Sequence, residues 1–280
     1  MTHSAALLRA ANLQLLDYPF AAALASALRV CDEAVVVVGQ SQDDTLAIVR
    51  QTAKAYGERV IIQEAIFTYD RLWQQRWWEL AASLTNAEWL MYHDADEVIH
   101  PRHAEYLRWL MTRTDVRLIR FPFVHLYATP GYYMARGFLT HNTRLGRRSA
   151  GYAMVNWCTD ATPKHAACAM VVNEGGRQVD AHDPRLAGSV TADAVPVLHY
   201  GWCRSAQALA ISQAKHRAWY ADGAGLEDGR LPDVAPYDFR LDEMLITGRV
   251  ACYAGGHSAD LDDWFSAHQE TWDELERVAA

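Results

Sequence analysis

The stretch EWLMYHDADEVIHP, Glu88 to Pro101, sets the terms for the whole chain. Its apolar run Trp89-Leu90-Met91-Tyr92 has no polar alternation, which is how a strand covered on both faces of a parallel sheet reads. The run delivers Asp94, Asp96 and Glu97 directly at its exit. Carboxylates so closely spaced repel one another, so this strand end needs a cation or some other partner.

Strand-like and helix-like segments alternate outward from this point. Before it, Pro19 to Val30 is an Ala/Leu-rich helix with Pro19 in its first turn, and Ala34 to Val38 is a β-branched buried strand. Gly39 to Gln42 make a turn, and Asp43 or Asp44 caps a helix running to about Tyr56. Val60 to Ile62 is the next strand, and Arg71 to Leu84 a helix with Trp73, Trp77, Leu80 and Leu84 on one stripe. After the acidic stretch come a helix from Pro101, carrying Leu107, Leu110 and Met111, and a strand from Val116 to Val124. Repeats of this kind build a mostly parallel central sheet flanked by helices, an α/β fold. Its ligands collect at the C-terminal strand edge, where the carboxylates stand.

Beyond Tyr127 the alternation lapses. Thr129 to Gly151 and Thr159 to Asp193 read as loops and short antiparallel pieces over the ligand edge. A strand returns at Val195 to Tyr200, followed by a helix from Ser205 to Tyr220. Gly223 to Pro236 reads as a linker and Asp260 to Val278 as an amphipathic closing helix. The expected division is a domain over residues 1–221 and, over 222–280, a linker with a helical extension packed on it.

The 280 residues suffice for a substantial core, and 51% hydrophobic with 21% charged residues is ordinary globular composition. A net charge of -8 argues against nucleic-acid binding. Cys31, Cys158, Cys168, Cys203 and Cys252 form no CxxC pair and read as reduced thiols. No signal peptide or span-length apolar run is visible. A cytoplasmic protein is expected, with peripheral membrane association left open.

In an extended segment residues two apart share a side, so Asp94 and Asp96 can address one point. Oxygen ligands of this type suit Mg²⁺ or Mn²⁺; a solvated acidic turn is the alternative. His199, in VLHYGW, could add a nitrogen ligand or be a core histidine. Asp43 and Asp44 could receive a ribose or base, or serve only as helix caps. Arg144, Arg147 and Arg148 could neutralise a diphosphate or lie on a solvated surface. Trp73, Trp77 and Trp78 read as core.

Taken in order, YPF…ALRVCDEAVVVVGQSQDDT, EWLMYHDADEVIHP and VLHYGW resemble the family-2-like glycosyltransferases of the GT-A fold. More narrowly, they are similar to bacterial members with ADE-V-[LI]-H and HYGW motifs. The resemblance covers about Asn12 to Lys215. It implies a nucleotide-diphospho-sugar transferase fold with a sugar-nucleotide donor. Asp94 and Asp96 would hold a metal–diphosphate, His199 would complete the metal site, and Asp43 would match the second aspartate of D-G-S-x-D-G-T. Arg144 is a further candidate for substrate binding. In that signature Gly39 replaces the first aspartate, Gln40 and Asp44 replace glycines, and the F-x-R-N start is reduced to Ala10-Ala11-Asn12.

The activity so implied is a metal-dependent transfer of a hexose-like sugar, with inversion, to a glycan, lipid-linked or small-molecule acceptor. Inversion requires a carboxylate base. Glu97 and Asp183 are the candidates carried forward, with Asp160 and Glu174 in the same variable region. The alternatives are a GT-A-like protein that binds a sugar nucleotide or glycan without turnover, and a metal-dependent nucleotidyltransferase.

Overall fold

Ser4–Ala10 (β1) is the strand around which the rest is laid, although its Ala/Leu-rich sequence carries no β-branched residue to announce it. The computed structural model describes residues 2–66, 73–136, 141–157, 167–222 and 233–279. Along the chain β1 is followed by α1 (Phe20–Val30), β2 (Glu33–Val38), α2 (Thr45–Ala53), β3 (Val60–Glu64), α3 (Trp73–Ser83) and β4 (Trp89–His93). Next come β5 (Glu97–Ile99), α4 (Ala104–Thr112), β6 (Leu118–Tyr127), β7 (Thr129–Met134) and β8 (His141–Arg147). Then follow β9 (Ala153–Trp157), β10 (Ala167–Glu174), β11 (Arg177–Asp180), β12 (Ser189–Thr191) and β13 (Val197–Trp202). The chain closes with α5 (Ala206–Asp222), α6 (Leu241–Ile246), β14 (Val250–Cys252) and α7 (Asp262–Ala279).

The main sheet runs β14-β7-β6-β8-β4-β1-β2-β3 among the described residues, with β12 and β13 against β6, and β5 against β13. Strands β3, β2, β1 and β4 are all parallel. Strand β8 inserts antiparallel between β4 and β6, so β6 runs with β4. The stretch Thr129 to Gly151, expected as loops and short antiparallel pieces, supplies two antiparallel strands, and Arg144 stands on one of them. Strands β9, β10 and β11 form a separate antiparallel sheet.

Strand β2 shows why the parallel part holds. Val36 and Val38 enter a cluster with Leu24, Leu28 and Leu107, while Val35 and Val37 enter another with Trp77 and Trp78. Each such valine removed from water stabilises the fold by roughly 1.5–3 kcal/mol. The tryptophans of α3 whose surroundings are described, Trp77 and Trp78, are core residues as expected. Cys31 and Cys203 are buried and Cys252 is exposed. No helix among the described residues is long and apolar enough to cross a membrane. Most of the expected linker, residues 223–232, and Asp160 lie outside the described residues.

Helix α7 packs on the strands that carry the ligand edge: Trp272 shares a cluster with Val98, Leu198 and Tyr200. His268 fixes this docking. Its Nδ1 stands 2.7 Å from the Trp264 carbonyl and its Nε2 2.7 Å from Asp17 Oδ2, so both nitrogens face acceptors and both carry protons. Burial alone would lower His268, but the bonds to Asp17 and Trp264 raise it. Burial opposes Asp17 as well, yet His268 and the Ser205 N–H hold its carboxyl below the usual range. The His268 contribution is thus full below its unfolded value and lost as pH rises through the raised one. The Asp17 contribution is full above its unfolded value and lost as pH falls through the lowered one. Such charge-assisted bonds contribute about 1.5–3 kcal/mol. The melting temperature is expected to fall by several degrees between pH 6 and 9. His268→Gln should be lower at pH 6 and should lose most of that slope, as calorimetry would show.

Candidate functional site

The acidic stretch leaves β4 as a tight turn. The Glu97 N–H donates to the Asp94 carbonyl at 3.1 Å, closing a turn through Ala95 and Asp96. This corrects the extended geometry expected from sequence. The turn separates the three carboxylates into different surroundings.

Glu97 is buried completely. It pairs with Arg144 of β8, accepts from the Asp94 N–H at 3.3 Å and stands 3.9 Å from His93 Nδ1. Burial drives its carboxyl up to about 8, against the pull of Arg144 and helped by Asp94 and Asp96. His93 is pushed down to about 4 by burial, so it is neutral and supplies no counter-charge. Arg144 stacks over the Tyr92 ring at 4.3 Å. The Glu97 carboxyl, expected as a candidate base, is enclosed by these contacts. It holds the turn.

Asp94 is also provided for by the chain. Tyr92 donates to its Oδ1 at 2.8 Å, Arg9 of β1 stands 3.3 Å from Oδ1, and Arg144 reaches Oδ2 at 3.4 Å. Burial would raise this carboxyl, but Arg9 and Arg144 keep it below the usual range. Its oxygens are turned to cations of the protein, Arg9 and Arg144.

Asp96 is different. Its Oδ2 lies 3.7 Å from His199 Nε2 and 3.6 Å from the Arg204 guanidinium, each beyond hydrogen-bond reach. Gly201 allows the close approach of the chain here: a Cβ there would stand 2.6 Å from His199 Nε2 and 3.1 Å from Asp96 Oδ2. A separation of 3.7 Å is less than two metal–ligand bonds of about 2.1 Å laid end to end, so both atoms can hold one hard divalent ion. Burial lowers His199 more than Asp96 and Asp94 raise it, leaving the neutral imidazole that metals take. Among the described residues no group of three or more His, Cys, Asp or Glu is arranged as a cage. An ion on Asp96 and His199 would draw its other ligands from substrate and water.

Four participants carried no local signal in the sequence. Arg9 comes from β1 and Arg204 from the end of β13. Arg204 also donates to the Leu16 carbonyl at 2.8 Å and lies over the Tyr18 ring at 4.5 Å. Lys215 of α5 is pushed down to about 7 by burial and by Arg9 and Arg204, while Asp96 and Asp94 oppose this. His125 of β6 stands against His199. Charge and spacing within one segment cannot announce partners delivered by distant strands.

The remaining expected residues are placed elsewhere. Asp43 accepts from the Gln14 and Leu15 N–H groups at 2.9 Å each, and from Thr45 N–H at 3.0 Å and Thr45 hydroxyl. These bonds brace the loop after β1. Asp43 also lines a cleft of about 340 Å³ with Val38, Gly39, Glu64 and Ile66, at the ends of β2 and β3. Asp44 is exposed and its side chain caps nothing. Asp183 is chelated by the Arg185 backbone N–H and guanidinium, which hold it down to about 2, away from the acidic turn's contacts. Glu174 pairs with Arg117. Arg147 binds the Val116 and Arg113 carbonyls and Arg148 those of Ala82, Thr85 and Ala87, so neither is a solvated or diphosphate-facing residue.

No family model and no curated protein matches the chain. Among solved structures it is similar to S. aureus TarS, at 11% identity with a TM-score of 0.43 over 81% of this chain and 41% of that one. TarS 1-349 gives 13% identity and a TM-score of 0.38 over 55% of this chain and 50% of that one. The Mycobacterium tuberculosis glucosyl-3-phosphoglycerate synthase, in complex with Mg²⁺ and uridine-diphosphate, gives 22% identity and a TM-score of 0.31 over 44% of each chain. The chain thus spans half or less of the length of these structures.

Proposed function

We propose that the chain is a family-2-like glycosyltransferase of the GT-A fold, taking a sugar from a nucleotide-diphosphate donor with a divalent cation on Asp96 and His199. Residues 1–221 would form the catalytic domain and 222–280 the extension. The observation that carries this is the row of groups along one sheet edge. The cleft lies at the ends of β3 and β2, Arg9 at the end of β1, and the acidic turn at the end of β4. Adjacent strands are about 4.8 Å apart, so β2 and β4 are separated by roughly 10 Å. A nucleoside diphosphate spans that distance with its base in the cleft and its phosphates over β1 and β4.

Each residue then has a definable task. Arg9, Arg204 and Lys215 supply positive charge where a leaving diphosphate collects negative charge. An incoming diphosphate would favour the ammonium form of Lys215. Glu97 and Arg144 fix the turn so that Asp96 faces His199. A divalent ion, when bound, supplies Lewis-acid charge to the leaving phosphates. Inversion at the anomeric carbon needs a base near the acceptor, and neither Glu97 nor Asp183 is held in a state suited to it. The same fact favours the second reading, a sugar-nucleotide-binding protein without turnover.

Hydrolysis of nucleotide sugars separates the two. With Mn²⁺ present, slow release of nucleoside diphosphate from at least one donor in a panel is expected. Binding of a donor without release from any would establish the second reading.

A further inference from the structure

His199 is held from behind by a second histidine. Its Nδ1 lies 2.9 Å from Nδ1 of His125, with ring centroids 4.8 Å apart and planes at 77°. The two residues are register partners in the parallel pairing of β13 with β6. The contact is therefore fixed by two strands. A hydrogen bond between two Nδ1 atoms requires a proton on one of them only.

The two arrangements differ at the far side of His199. If His125 donates, the His199 proton sits on Nε2 and points toward Asp96, whose nearest oxygen at 3.7 Å is too distant to accept it. If His199 donates, its own requirement is met by His125 and its Nε2 is bare on the side where Asp96 Oδ2 stands 3.7 Å away and Gly201 carries no side chain. The second arrangement satisfies the His199 N–H and presents a nitrogen ligand beside the Asp96 carboxylate.

We propose that His125 is a positioning residue that accepts the Nδ1–H of His199, fixing the tautomer in which Nε2 is bare and aimed, with Asp96, at a divalent cation. The cation part rests on the functional reading above; the tautomer part does not. The arrangement is the one by which a second hydrogen bond orients a metal-bound imidazole, and loss of such a partner weakens metal binding on the order of 10- to 100-fold.

The test has two arms. In the metal-free protein, long-range ¹H–¹⁵N NMR of the histidine rings near pH 7.5 should show His199 protonated at Nδ1 and bare at Nε2. His125→Phe, which offers no acceptor, should shift His199 toward the other tautomer, and His125→Asn, which restores an acceptor oxygen, should shift it back. Calorimetric titration of Mn²⁺ in the presence of UDP should then show affinity falling at least tenfold in His125→Phe and recovering in His125→Asn. A His199 proton on Nε2 in the wild type, or a tautomer unmoved by His125→Phe, overturns the assignment. Equal losses in both variants, in step with their melting temperatures, would reduce His125 to packing. If the wild type binds no Mn²⁺ with UDP, the functional reading fails, and the NMR arm still decides the hydrogen bond.

Discussion

Measured at pH 9, above the value of about 8 to which burial drives Glu97, Arg144→Met is expected to lose about 3–5 kcal/mol of stability, because it strips the counter-charge from an ionised carboxyl with no access to water. Glu97 is fully buried and Arg144 is its only cationic partner among its described contacts, since His93 is neutral. Asp94 loses one of two guanidinium neighbours in the same change. The double variant Arg144→Met with Glu97→Gln should recover much of the loss, because the remaining group no longer carries a charge in a buried place. Urea unfolding of the two single variants, the double variant and the wild type gives the coupling between the residues. A single-variant loss below about 1 kcal/mol, with no coupling, would mean that the turn is not held by this pair.

The second large effect is on chemistry. Asp96→Asn keeps the side-chain shape and removes the carboxylate that stands 3.7 Å from His199 Nε2. Cation-stimulated release of nucleoside diphosphate should fall on the order of a hundredfold or more, as expected when a charge-stabilising group is lost. The fold should survive, since Arg204 retains its bonds to the Gly201 and Leu16 carbonyls. Steady-state turnover across a Mn²⁺ series measures this. Undiminished cation dependence in a folded Asp96→Asn protein would move the cation elsewhere.

The sequence made the parallel half of the sheet legible where burial on both faces forces unbroken apolar runs, as in Ala34 to Val38 and Trp89 to Tyr92. Strand β1 was illegible because Ala and Leu serve helices equally well, and only its place between β2 and β4 makes it a strand. Strand β8 was hidden for a related reason: its Arg144 and Arg147 are inward-facing cations that read locally as a surface patch. The acidic turn was visible as a cluster with unmet charge. What met the charge was not visible, because Arg9, Arg144 and Arg204 arrive from strands and loops far apart in the chain. Those partners divide the cluster: Arg9 and Arg144 stand against Asp94, Arg144 pairs with Glu97, and Arg204 and His199 stand 3.6 and 3.7 Å from Asp96. At Asp43 the motif position was legible, while its loop-bracing hydrogen bonds to Gln14 and Leu15 were not.

The most direct measurement is calorimetric titration of UDP into the wild-type protein and into Asp96→Asn, each with and without Mn²⁺. The account predicts that Mn²⁺ tightens UDP binding to the wild type and that Asp96→Asn abolishes the tightening while leaving weak, cation-independent binding. Equal UDP affinity in all four titrations, or equal Mn²⁺ enhancement in both proteins, would contradict it.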